Sequence, residues 1–151
     1  MPMAWLVVGF GSDIRGDDKF GIAVAESIAK SITTAVVVTT YNLAPELVER
    51  IRVADGVIFI DASLTLPLGQ MQCIDLQLQC DDQELDATSV CTSHECDPKT
   101  LMQLNYILNG SKPPSWLYIV GGEDFSYSEQ MSKSVEACVE MVTEEIMARI
   151  R

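Results

Sequence analysis

After Gly56 the chain runs through four consecutive apolar residues, Val57-Ile58-Phe59-Ile60, and stops abruptly on Asp61. A strand with one wet face alternates apolar and polar side chains, whereas an unbroken apolar run marks a strand covered on both faces. The run therefore implies a central strand of a parallel sheet with helices above and below. It also delivers a carboxylate to the strand's C-terminal end, where burying the charge is costly unless it is paired or metal-bound.

The flanking segments complete the pattern. Trp5 to Val8 reads as a short buried strand closed by Gly9-Phe10-Gly11. Phe20, Val24 and Ile28 then recur at helical spacing beside Ala23, which predicts a helix over 18–31 with Asp17 or Asp18 in its first turn. Ala35 to Tyr41 is rich in β-branched residues and reads as a strand, and Pro45 opens a helix over 45–53. Ile74, Leu76 and Leu78 alternate with Asp75, Gln77 and Gln79, as expected of an antiparallel edge strand.

Residues 81–97 form a polar, acidic stretch that holds His94, the sole histidine. Asp97-Pro98 caps a helix with a stripe of Leu101, Leu104, Ile107 and Leu108, and Asn109-Gly110 ends it. Trp116 to Val120 reads as the last strand. Met131, Val135, Cys138, Val142 and Ile146 share one face of a long terminal helix, with Ser128 as its expected N-cap.

These elements predict one domain over 1–151, an α/β three-layer α/β/α sandwich with a mostly parallel five-stranded sheet and one antiparallel edge strand. Sites in such folds lie at the carboxyl ends of strands. Asp18 follows the first strand, Asp61 ends the third, and His94 precedes a sheet-covering helix, so all three can meet at one edge. Two carboxylate oxygens and an imidazole nitrogen form a cation site with open coordination positions.

Composition narrows the chemistry. With 22 Asp and Glu against 10 Lys and Arg, the formal net charge of -12 repels a polyphosphate, so no nucleic-acid partner is expected. No apolar stretch is long enough to cross a bilayer, and no signal-peptide pattern precedes the first strand, which predicts a cytoplasmic protein that binds no membrane. The five cysteines, an odd number, are expected to be reduced thiols.

Other site chemistries fit less well. Gly9-x-Gly11 lacks the third glycine of a dinucleotide loop, since Ile14 stands there, and Gly11 to Gly16 has P-loop spacing but continues into Asp17 and Asp18. Two alternatives stay open. Cys91, His94 and Cys96, completed by Cys73 or Cys80, could form the thiolate site of a nickel or zinc carrier. Asp18 and Asp61 could share a proton as an aspartic-type peptidase dyad.

Gly9-x-Gly11, Asp17-Asp18-x-Phe20-Gly21, Asp61-Ala62 and Ser93-His94 together resemble the hydrogenase maturation endopeptidases over nearly the whole chain. These hydrolases remove a C-terminal extension from the large-subunit precursor of nickel-iron hydrogenase once nickel has been inserted. The resemblance places the family's metal-binding residues on Asp18, Asp61 and His94. It implies that the precursor's own nickel docks there, bringing the scissile bond to a metal-polarised water. Ser12, Lys19 and Gly121-Gly122-Glu123 stand where the family more often has asparagine, glycine and Gly-Ile-x-Pro. They bear on which precursor is accepted, and the resemblance leans towards a cytoplasmic bidirectional hydrogenase.

Overall fold

In the computed structural model, which describes residues 4–77, 96–128 and 130–150, five strands build one sheet. They are β1 (Leu6–Phe10), β2 (Val36–Thr40), β3 (Val57–Ser63), β4 (Met71–Asp75) and β5 (Ser115–Gly121). Their order is β2-β1-β3-β5-β4, with β4 antiparallel at one edge and every other pairing parallel. The helices are α1 (Phe20–Ser31), the single turn α2 (Val48–Ile51), α3 (Pro98–Asn109) and α4 (Lys133–Ile150).

Strand alternation sorts the apolar residues into two cores. Val7, Ile58 and Ile60 face Phe20, Val24 and Ile28 of α1 and Val135, Cys138, Val142 and Ile146 of α4. Leu6, Val8, Val57 and Phe59 face Val48 and Ile51 of α2 and Leu101 and Leu104 of α3. The central strands are thus buried on both faces, as the Val57–Ile60 run requires. At about 1.5–3 kcal/mol for each fully buried aliphatic side chain, these two layers supply the main stabilisation of the sheet.

Chain direction fixes where the sheet opens. From β1 the chain crosses through α1 to β2 on one side, then returns through α2 to β3 on the other side of β1. The two connections leave on opposite faces, so the carboxyl ends of β1 and β3 part into a crevice at the switch point. Gly21 fits against both strand ends, where an added methyl group would strike the carbonyl oxygens of Ile60 and Phe10. Glycine is what lets α1 start so close to the sheet.

Several expected boundaries shift. A 3-10 turn, Gly16–Lys19, precedes α1, and the helix expected over 45–53 is a 3-10 turn, Pro45–Leu47, followed by α2. The edge strand is Met71–Asp75 rather than the Ile74-Leu76-Leu78 alternation, because the chain turns helical at Leu76 and buries that side chain in the α2–α3 layer. Leu78 lies outside the described residues.

Helix ends divide the same way. Asp97 caps α3 as expected, accepting a hydrogen bond of 2.7 Å from the Thr100 N–H. Burial on α3 stops at Asn105, however, so Ile107 and Leu108 are exposed and do not continue the stripe. Ser128 is not the cap of α4, which begins only at Lys133. It forms a parallel bridge with Arg15 instead.

Candidate functional site

The crevice between β1 and β3 is walled by the turn after β1. Gly11 has a φ of 139°, a region where a side chain is strained, and an added methyl group would strike the Asp18 carbonyl and crowd its carboxylate. The Gly11-Ser12 backbone therefore wraps directly round Asp18. The Ser12 N–H donates to the Asp18 carboxylate, and burial, offset by that bond and by the Arg15 charge, leaves the Asp18 carboxyl above its ordinary range.

Asp61 sits on the opposing strand, in register with Ile119 of β5. Strand alternation puts it on the same face as Val57 and Phe59, towards α2 and α3. Burial pushes its carboxyl up to about 7 against the bond from the Ala62 N–H, and the Asp18 charge adds to the rise. Each carboxylate thus sits where a negative charge is poorly solvated, and Asp61 senses Asp18. A cation between them would relieve both costs.

The neighbouring carboxylate has another task. Asp17 is fully buried and accepts from the backbone N–H groups of Glu123 (2.9 Å), Asp124 (3.1 Å) and Ser132 (2.6 Å) and from the Ser132 hydroxyl (2.7 Å). Burial alone would raise its pKa, but these bonds together outweigh it and hold the carboxyl below the ordinary value. Backbone bonds Gly16 N–H to Ser128 O (2.8 Å), Asp17 N–H to Asp124 O (2.8 Å) and Ser128 N–H to Ile14 O (2.9 Å) reinforce the link. The loops after β1 and β5 form one stitched unit, and Asp18 rides on it.

His94 lies outside the described residues, as do Cys80 and Cys91. Among the described residues no group of three His, Cys, Asp or Glu side chains gathers as a metal site. Cys96, two positions after His94, is buried in the α2–α3 layer, on the sheet face that carries Asp61. Cys73 bonds to Tyr118, whose ring belongs to the opposite layer, so Cys73 and Cys96 are on different faces and Cys73 does not complete a thiolate set with it.

Several solved hydrogenase maturation proteases share this fold. A maturation protease, HycI, from Thermococcus kodakarensis KOD1 superposes with a TM-score of 0.72 over 95% of this chain and 90% of its own, at 21% identity. The maturating endopeptidase HybD from E. coli does so with a TM-score of 0.72 over 99% and 93%, at 20% identity. A hydrogenase 2 maturation peptidase from Thaumarchaeota archaeon SCGC_AB-539-E09 covers 97% of each chain with a TM-score of 0.62, at 20% identity. No protein-family model matches the sequence, and no curated protein matches it.

Proposed function

We propose that this chain is an endopeptidase that removes the C-terminal extension of a nickel-iron hydrogenase large-subunit precursor, and that Asp18, Asp61 and His94 grip the nickel the precursor carries. The observation that carries the reading is the pair Asp18, in the turn after β1, and Asp61, near the carboxyl end of β3, each held where its charge is poorly solvated, with the Asp18 charge acting on Asp61. Two hard oxygens and an imidazole nitrogen suit a divalent ion of nickel's type while leaving positions for its other ligands. The part given to His94, which lies outside the described residues, rests on the resemblance of Ser93-His94 alone.

Nickel on this reading is part of the substrate. Gripping it fixes the neighbouring peptide bond, which converts a loose encounter into a positioned one. No helix among the described residues is long and apolar enough to cross a membrane.

The test is a processing assay followed by mass spectrometry, with nickel-loaded and nickel-free precursors of several hydrogenases. Loss of a C-terminal peptide from a loaded precursor alone is expected. Equal cleavage of the nickel-free form would overturn the role of the metal. A second reading, the aspartic-type dyad, is favoured by the Asp18 charge acting on Asp61. It predicts cleavage of unrelated peptides at acid pH and indifference to chelators.

A further inference from the structure

The crevice rim carries a cation that the fold does not use up. Arg15 immediately precedes the 3-10 turn that holds Asp18, and its guanidinium stacks 4.9 Å over the Tyr127 ring and donates one bond of 3.3 Å to the Tyr127 hydroxyl. Tyr41, at the end of β2, is close enough to act on it electrostatically, as is Asp18. Among the described residues no carboxylate forms an ion pair in contact with Arg15, the one such pair being Arg52–Glu49. Most of the donors of a planar fork shaped for carboxylate are therefore available.

The surroundings fit a ligand better than a strut. The loops on either side are already tied by the Ile14, Gly16 and Ser128 backbone and by the Asp17 carboxylate, so the guanidinium is not needed to join them. Tyr127 is 76% exposed and Tyr41 60%, and Ile14 beside them is exposed as well. Large exposed aromatic and apolar side chains round a half-buried arginine make a surface suited to binding.

We propose that Arg15, backed by Tyr127 and Tyr41, binds a carboxylate of the peptide that lies across Asp18 and Asp61, and so sets which peptide is accepted and in what register. This deepens the endopeptidase reading and rests on it for the peptide's identity, though the chemistry of the site does not. In a chain of formal net charge -12 an anion is repelled at a distance, so the selection acts only at contact. The carboxylate must arrive on a segment whose remaining residues are neutral or basic. It is either the free C-terminus or an Asp or Glu side chain.

The site is tested by following the Arg15 Nε–H resonance, assigned by its absence in Arg15→Gln, in nitrogen-labelled protein. The probes are acetyl-Ala-Ala-Ala with a free C-terminus, its C-terminal amide, and acetyl-Ala-Asp-Ala amide, each raised to tens of millimolar. A saturable shift with the first, the third or both is expected, and the pattern tells which carboxylate is read. The amide of the first should leave the resonance in place. An equal response to that amide, or no response to either carboxylate, overturns the proposal.

Processing kinetics give the second arm. Loss of one charge-assisted contact predicts a KM raised about tenfold in Arg15→Gln, with kcat moving far less and Arg15→Lys recovering part of the loss. If wild-type protein processes no precursor while the peptides still shift Arg15, the endopeptidase reading fails and the carboxylate site stands. If processing proceeds and neither KM nor the resonance depends on a carboxylate, the site is withdrawn and the reading survives.

Discussion

Ser132 donates both its backbone N–H and its hydroxyl to the Asp17 carboxylate, at 2.6 and 2.7 Å, across 115 positions of sequence. Neighbouring aspartates in one 3-10 turn thus divide the work. Asp17 is held as an anion by the loop after β5, whereas Asp18 faces the crevice with a raised pKa. The first secures the geometry in which the second is displayed.

Asp17→Ala should cost about 3–5 kcal/mol in urea unfolding, because it leaves buried donors of Glu123, Asp124 and Ser132 without their acceptor. The folded pKa of Asp17 lies below its unfolded value. Its contribution is therefore full above about pH 4 and is lost as the solution is acidified through the folded pKa. The variant should lack that acid-side loss.

Asp61 has the opposite sign. Its carboxyl rises from 3.8 to about 7, so the fold favours the protonated form. Its stabilising contribution is full below about pH 4 and is lost as pH rises through about 7, amounting to about 4 kcal/mol. In chelated buffer, Asp61→Asn should melt at a higher temperature than wild type at pH 8 and at nearly the same temperature at pH 4. Thermal melts across this range that run parallel for the two proteins would contradict the placement of Asp61.

The same variant should lose precursor processing by about a thousandfold or more while staying folded, since asparagine keeps the shape and removes the charge a cation needs. Binding of added nickel, followed by calorimetry, should strengthen about tenfold per pH unit between pH 5 and 7 as the proton on Asp61 ceases to compete. Retained cleavage in Asp61→Asn would remove the carboxylate from the site.

Replacing Cys91 and Cys96 together by serine separates the endopeptidase from a metal carrier. Processing should continue, with a modest loss of stability from placing a hydroxyl where the buried Cys96 packs. A carrier would instead stop binding metal.

Gly21→Ala should destabilise by about 2–3 kcal/mol or more, because the added carbon meets the backbone carbonyls of Ile60 and Phe10 and has no room to shift. Denaturant unfolding reads this directly. The same change should weaken nickel binding, since the crevice between β1 and β3 would have to widen.

Much of this architecture is legible in the residues because it rests on local periodicity. Val57–Ile60 announces the buried central strand, Phe20, Val24 and Ile28 announce the inner face of α1, and Asp97-Pro98 announces the start of α3. The boundaries that moved depend on partners remote in sequence. Ser128 has the chemistry of a cap, yet its backbone is taken up by Ile14, Arg15 and Gly16, and α4 begins later. Leu76 alternates like a strand residue, but burial in the α2–α3 layer turns the chain there.

The site divides along the same line. Asp18 and Asp61 stand out as charges following strands, and in the structure the Asp18 charge acts on Asp61. The role of Asp17 is not readable from the 3-10 turn, where it resembles any acid in a first turn, because every group that bonds to it comes from residues 123–132. Arg15 is equally silent in the sequence, its aromatic platform being 112 positions away.

The stitching of the loop after β1 to the loop after β5 has a consequence for synthesis. A polypeptide emerging from the ribosome carries Asp17 and Asp18 early, but the donors that lock Asp17 emerge more than a hundred residues later. Until then Asp18, which rides on the same turn, has no fixed frame. If Asp18 grips an ion as proposed, that grip is among the last features to mature.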